Sequence, residues 1–189
     1  IKDRRAVGVR YRKKGVEKYV RAAGEVILSA GAIDSPRTLM RSGIGDARSL
    51  RDHDIDVVHE LKGVGQNLQD HFFVNYSRRV LPGSSINHEL RGFRKYLHGI
   101  RYLASHSGLL SLGTAHAAAF ITGLPGATTP DLQVMFRPLS WQFNPDGVLE
   151  IGQESEITAS VCYLRPHSKG SVGLKSASVG EKPAIKINY

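Results

Sequence analysis

Two short stretches of this chain carry residue types whose spacing suits ligand chemistry. Gly31–Gly45 reads GAIDSPRTLMRSGIG: small residues, Ser35-Pro36, a short apolar run, then Ser42-Gly43-Ile44-Gly45. Gly63–His71 reads GVGQNLQDH, two closely spaced glycines followed by the polar Asn67 and Asp70. Small side chains where a strand ends let the backbone come close to a ligand, and open α/β sheets bind ligands at that edge. Ser29-Ala30-Gly31-Ala32 fits that description, and it also fits a plain tight strand-to-helix turn. A helix beginning at Ser35-Pro36, with Ser as N-cap and Pro first inside, would present free N–H groups to an anion. Gly63-x-Gly65 does not extend to a dinucleotide fingerprint, because position 68 is Leu and no helix of useful length follows. It reads instead as a Gly-rich turn with polar residues, which an Asx side chain could close by itself.

The remaining reactive residues narrow the chemistry by what they lack. A lone cysteine, Cys162, forbids an internal disulfide and a multi-Cys zinc site. The formal net charge of +9 favours contact with anions. Its basic runs, Arg10–Gly15 and the stretch within Glu89–His106, come without interleaved base-stacking aromatics. A solvated surface therefore explains them better than a nucleic-acid site. No run approaches the length of a membrane span.

The elements that must position these residues are legible from periodicity. Arg5–Tyr11 and Val16–Ala22 flank a basic turn as a hairpin. Glu25–Ser29 reads as a buried, parallel-type strand. Gly43 and Gly45 stop the helix that Leu39 and Met40 line, and a second short helix fits Asp46–Asp52, with a strand-like Ile55–His59 after it. Phe72–Val80 is strand-like. Leu90, Phe93, Leu97, Ile100 and Ala104 make Glu89–His106 an amphipathic helix with one packed face. Ala115–Thr122, Leu132–Arg137, Glu156–Leu164, Ser171–Lys175 and Ala184–Asn188 are strands of an antiparallel sheet. The fold class is thus α/β followed by α+β. The chain opens and closes in strand-like sequence with no initiator Met, and reads as an internal stretch of a longer polypeptide.

Gly31, Ala32, Ser35, Pro36, Leu39 and Ser42-Gly43-Ile44-Gly45 closely resemble the second signature of the glucose–methanol–choline (GMC) oxidoreductases; Thr38 stands where an aliphatic residue is usual. Gly63–His71 resembles that family's Gly-Val-Gly-x-Asn-Leu-Gln-Asp-His. Weaker similarities follow in the same order at Pro130–Gln133, Arg165–Val172, Lys175-Ser176 and Pro183–Tyr189.

The resemblance implies part of a Rossmann-type FAD-binding domain over residues 1–71. Part of an antiparallel-sheet substrate-binding domain would follow over 72–189. It implies oxidation of an alcohol or sugar CH–OH group with hydride passing to FAD, and oxygen or a quinone-like compound as electron acceptor. Ala30 and Gly31 are implied close-approach positions at the cofactor, and Asn67 and Asp70 polar residues at the flavin end. Phe136, Trp141 and Phe143 are candidates for an apolar pocket, against ordinary packing. The family's Gly-x-Gly-x-x-Gly and its catalytic His have no counterpart here, so no catalytic residue and no metal site are assigned, and His71 is read as structural. A non-catalytic relative that binds or scaffolds is the alternative, with a basic nucleic-acid module behind it.

Overall fold

In the computed structural model, which describes residues 1–189, the first element follows from two backbone angles. Lys14 (φ 52°) and Gly15 (φ 78°) both adopt positive φ, as a two-residue hairpin loop matched to strand twist requires. They join β1 (Gly8–Lys13) to β2 (Val16–Arg21) in antiparallel register from Lys13↔Val16 to Gly8↔Arg21. The expected strand at Glu25–Ser29 does not form. A strand exists only through its ladder bonds, no segment runs beside this one, and Ile27 is left 80% exposed.

Helix α1 (Gly31–Arg41) begins earlier than the sequence suggested, with Ala30 at the N-cap position. Ser35 is not the cap. Its Oγ turns back to accept the Ala30 N–H at 3.0 Å, which leaves Pro36 inside the helix. Pro36 has no N–H to donate to the Ala32 carbonyl, so one bond of the helix ladder is missing there. The helix stops at Ser42, and Gly43 turns the chain at φ 82°, where a Cβ would lie 2.4 Å from the Asp56 carbonyl oxygen. Gly43 is therefore glycine for two reasons, conformation and space.

The parallel pair β3 (Ile44–Gly45) and β4 (His59–Glu60) brackets α2 (Ala47–Arg51). Asp46 caps α2 by accepting the Ser49 N–H at 2.8 Å. Leu50 is fully buried with Met40 and Leu174, and Ile55, Val57 and Val64 pack on them. Strand β5 (Gln66–Leu68) closes this part.

A second unit runs from His71 to Pro166. It contains β6 (Phe73–Arg79), α3 (Arg94–Ser105), a 3-10 turn at Leu109–Ser111, and β7 (Ala117–Ile121). Then come β8 (Leu132–Arg137), the hairpin β9 (Trp141–Phe143) and β10 (Leu149–Ile151), and β11 (Glu156–Tyr163). The order β6-β11-β8-β7 makes an antiparallel four-stranded sheet. Buried Asn87 ties the hairpin down, donating to the Ser140 and Gly152 carbonyls at 3.2 and 3.0 Å and accepting the Ser140 N–H at 3.2 Å.

Helix α3 is shorter than expected. Residue 89 lies outside it, held by its carboxylate, which accepts from Arg94 and lies 3.0 Å from His98 Nε2. Its apolar stripe is also not packed as expected: Phe93 is 73%, Leu97 50% and Ile100 64% exposed.

The two last strands depart from the expected sheet. β12 (Gly170–Gly173) and β13 (Ala184–Lys186) pair with β5 in the order β13-β12-β5, so residues His167–Tyr189 group with Ile1–Asp70. Arg37 and Arg41 of α1 hold this returning segment by donating to the Glu181 and Ser178 carbonyls at 2.7 and 2.5 Å. Burial, then the neighbouring Arg37 charge, hold the Arg41 guanidinium below its ordinary value, partly offset by Asp34.

The surface is large for the mass. The chain exposes 13626 Å², whereas one folded globule of 20.7 kDa exposes about 8,900 Å² and two of half that mass about 10,700 Å² together. The excess includes the α3 stripe and Val74, Tyr76, Val161 and Phe136 on one sheet face. The 189-residue chain alone is therefore expected to bind a hydrophobic dye strongly, unfold over a broad denaturant range and retain no flavin. A sharp two-state transition without dye binding would contradict this.

Candidate functional site

The two stretches singled out by their residue types come together in the first unit. Ala32, Ser35, Pro36 and Leu39 recur at helical spacing, so they share one face of α1 and form one wall of a groove of about 350 Å³. Residues 64–69 form the facing wall, and Val172 of β12 contributes from the returning segment.

Gly65 fixes the approach of these parts. Its carbonyl accepts the Val172 N–H at 2.7 Å, and its φ is 77°. A Cβ at position 65 would fall 2.1 Å from the Val172 carbonyl oxygen, a separation no side chain survives.

Each expected site residue has a defined place. Asn67 lines the groove from the middle of β5, in the left-handed region at φ 59° that Asn tolerates better than most residues. Ala30 precedes the helix and is exposed, its N–H committed to Ser35. Gly31 opens α1 at φ 80° with nothing within 4 Å of where a Cβ would be, so its backbone faces open space. Neither Ala30 nor Gly31 is among the lining residues, although both adjoin Ala32.

Asp70 lies off the groove and accepts a hydrogen bond from the Tyr189 hydroxyl at 2.6 Å. That bond, with desolvation and the Asp70 charge, raises the Tyr189 phenol above its ordinary value. His71 begins the second unit and is exposed. Phe136, Trp141 and Phe143 all lie in the second unit. Phe143 is exposed, and half-buried Trp141 carries the Arg137 guanidinium 5.3 Å from its ring centroid.

Sequence reasoning missed Ala32, Ser35, Pro36 and Leu39 as a joint wall. Their i, i+3, i+4, i+7 spacing was available, but a helix begun at Ser35 splits it. Val172 gave no local signal, since only the strand pairing brings it here.

No lining side chain is ionisable. The groove can bind through small backbone-exposing positions and the amides of Gln66, Asn67 and Gln69, but it holds no general acid or base of its own. No group of His, Cys, Asp and Glu in the chain could hold a metal.

Two outcomes follow for the complete polypeptide. Gly65→Ala meets both strain and collision, and is expected to lower the thermal midpoint by several degrees at about 1–3 kcal/mol; calorimetry checks it. The Tyr189–Asp70 bond favours the protonated phenol. Its stabilisation is complete below the unfolded tyrosine range near pH ~10 and is lost as pH rises through the folded value. Ultraviolet titration of Tyr189→Phe should lack the latest of the tyrosine transitions seen in the unaltered protein.

Residues 1–73 match the family model described as GMC oxidoreductase. The oxygen-dependent choline dehydrogenase of Brucella canis is 37% identical over 189 residues, covering 100% of this chain and 34% of that protein. The alcohol dehydrogenase [acceptor] of Pseudomonas putida is 36% identical, with 100% and 34% covered. Formate oxidase of Aspergillus oryzae, whose structure is described in terms of its FAD modification, superposes with a TM-score of 0.87 at 27% identity, covering 99% of this chain and 37% of its own. The chain thus spans about a third of the length of the curated relatives it matches. The mixed α/β architecture is shared with that structure, the matched model covers every lining residue of the groove except Val172, and the chain is similar along its whole length to GMC oxidoreductases.

Proposed function

We propose that the complete protein is an FAD-dependent oxidoreductase acting on the CH–OH group of an alcohol or sugar. The observation that carries this reading is the meeting of Gly31–Gly45 and Gly63–His71 at one groove without ionisable side chains. A neutral, amide-lined cleft suits a large planar cofactor better than it suits proton transfer. The residues fit such a group: Gly65 brings backbone where no Cβ fits, Gly31 leaves backbone open, and Asn67 offers an amide.

On this reading residues 1–71 belong to a Rossmann-type FAD-binding domain and the substrate domain begins at residue 72, with the segment from His167 returning to the first unit. Ala30 and Gly31 keep the approach to the cofactor free of bulky side chains, Asn67 bonds its flavin end, and Asp70 holds that turn through Tyr189. Bound FAD would supply the hydride acceptor that no amino-acid side chain provides. The reduced cofactor would be reoxidised by oxygen or a quinone-like acceptor. The relatives' names, choline dehydrogenase and alcohol dehydrogenase, support a hydroxyl substrate.

The complete polypeptide should show flavin absorbance that a primary or secondary alcohol bleaches without oxygen. No flavin after reconstitution with FAD would overturn the reading, and bound flavin that no alcohol reduces would favour the non-catalytic alternative. Asn67→Gly keeps the left-handed backbone while deleting the amide. It should weaken FAD binding severalfold, the worth of about one hydrogen bond, in a fluorescence titration.

A further inference from the structure

The second unit buries a cation for which the chain provides no counter-charge. Arg137, at the end of β8, is 9% exposed. The ion pairs of the chain engage Arg37, Lys62, Arg79, His88, Arg94 and His98, and Arg137 is in none of them. Glu156, the carboxylate two residues before the Arg137 cross-strand neighbour Thr158, accepts instead from Ser140 Oγ at 2.6 Å. Buried charges are ordinarily paired, because removing an ion from water is costly.

The groups that do meet Arg137 are poor substitutes for a carboxylate. Nη1 donates to Ser160 Oγ, whose own proton goes to Asn75 Oδ1 at 2.5 Å. Nη2 is left with the Met135 thioether at 3.5 Å, a weak acceptor. Trp141 offers only its ring face. Met135, Ser160 and Asn75 stand opposite one another on β8, β11 and β6, and the row ends at Asn75, which is exposed.

We propose that Arg137, with Met135 and Trp141 beside it, is a subsite for the carboxylate of a small ligand. The flexible Met135 side chain is the group that yields its place on Nη2, letting the planar guanidinium take the carboxylate with two N–H donors. Resting on the proposed function, this ligand is the substrate, an alcohol that also carries an acid group. Choline, which the Brucella relative's name specifies, would bring a second cation to a fixed one.

The test is calorimetric titration of the complete polypeptide, at low salt, with glycolate, ethylene glycol and choline chloride. Glycolate should bind at least about tenfold more tightly than ethylene glycol, and choline should give no heat. Arg137→Gln should reduce glycolate to the ethylene glycol level, while Arg137→Lys retains part of the preference. Should the Gln variant fail to fold, the ligand series on the unaltered protein and the Lys variant decides. Glycolate no tighter than ethylene glycol, or a preference unchanged in the Gln variant, would overturn the subsite. Flavin absorbance of the same samples separates the two readings. Glycolate preference without flavin removes only the proposed oxidoreductase, and flavin without glycolate preference removes only the subsite.

Discussion

The contact between Gly65 and Val172 is the constraint on which the first unit turns. One hydrogen bond of 2.7 Å joins their backbones, at a spacing that admits no side chain on residue 65. Through it the Gly63–His71 loop lies on β12, β5 enters a three-stranded sheet, and a segment a hundred residues downstream becomes part of the groove. The other wall is placed by Gly43 and Gly45. Gly43 allows close passage of Asp56, and Gly45 lets Met40 and Leu50 pack beneath the start of α2. Gly43, Gly45 and Gly65 are therefore positions of close approach within the protein first, whereas Gly31 and Gly63 face open space. In the proposed cofactor site, the part of the first three would follow from what that approach leaves open.

How much of this was legible in the sequence depends on whether the cause is local. The β1–β2 hairpin, the Asp46 cap and strands β8 and β11 rest on turn chemistry, side-chain-to-backbone bonding and alternation within the segment, and the sequence identifies them with small errors at the ends. Glu25–Ser29 has the composition of a buried strand, but composition supplies no ladder partner. Ser35-Pro36 has the signature of a helix start, yet the Ser35 hydroxyl bonds backward to Ala30 and the helix gains a turn ahead of it. The sheet to which β12 and β13 belong is set by pairing with β5, which no window of sequence around residue 170 can reveal. For the site the division is the same: Asn67 was legible within its motif, Val172 was not.

The second unit inverts the usual arrangement of an antiparallel sheet, in which the apolar face is covered and the polar face is wet. Here Thr158 and Ser160 at the sheet's centre are buried with Arg137, while Val161, Tyr76 and Val74 on the opposite face are exposed. Hydroxyls in such a setting must be satisfied, and they are: Thr158 donates to the Leu139 carbonyl at 2.8 Å and lies 2.9 Å from Ser77 Oγ, and Ser160 links Arg137 to Asn75. A polar network buried at this cost fixes side-chain positions more tightly than apolar packing does.

That rigidity bears on what the sheet can discriminate. A guanidinium held by Ser160 on one side and by the Trp141 ring on another cannot swing away from a like charge, nor can solvent screen it fully at 9% exposure. A flexible surface arginine would accept a cation nearby by moving into water; Arg137 has no such freedom. The sign of the charge it tolerates is thus set by the backbone register of β8, β11 and β6. Exchange of the ligand-facing side chains alone, with Arg137 in place, would leave that preference intact.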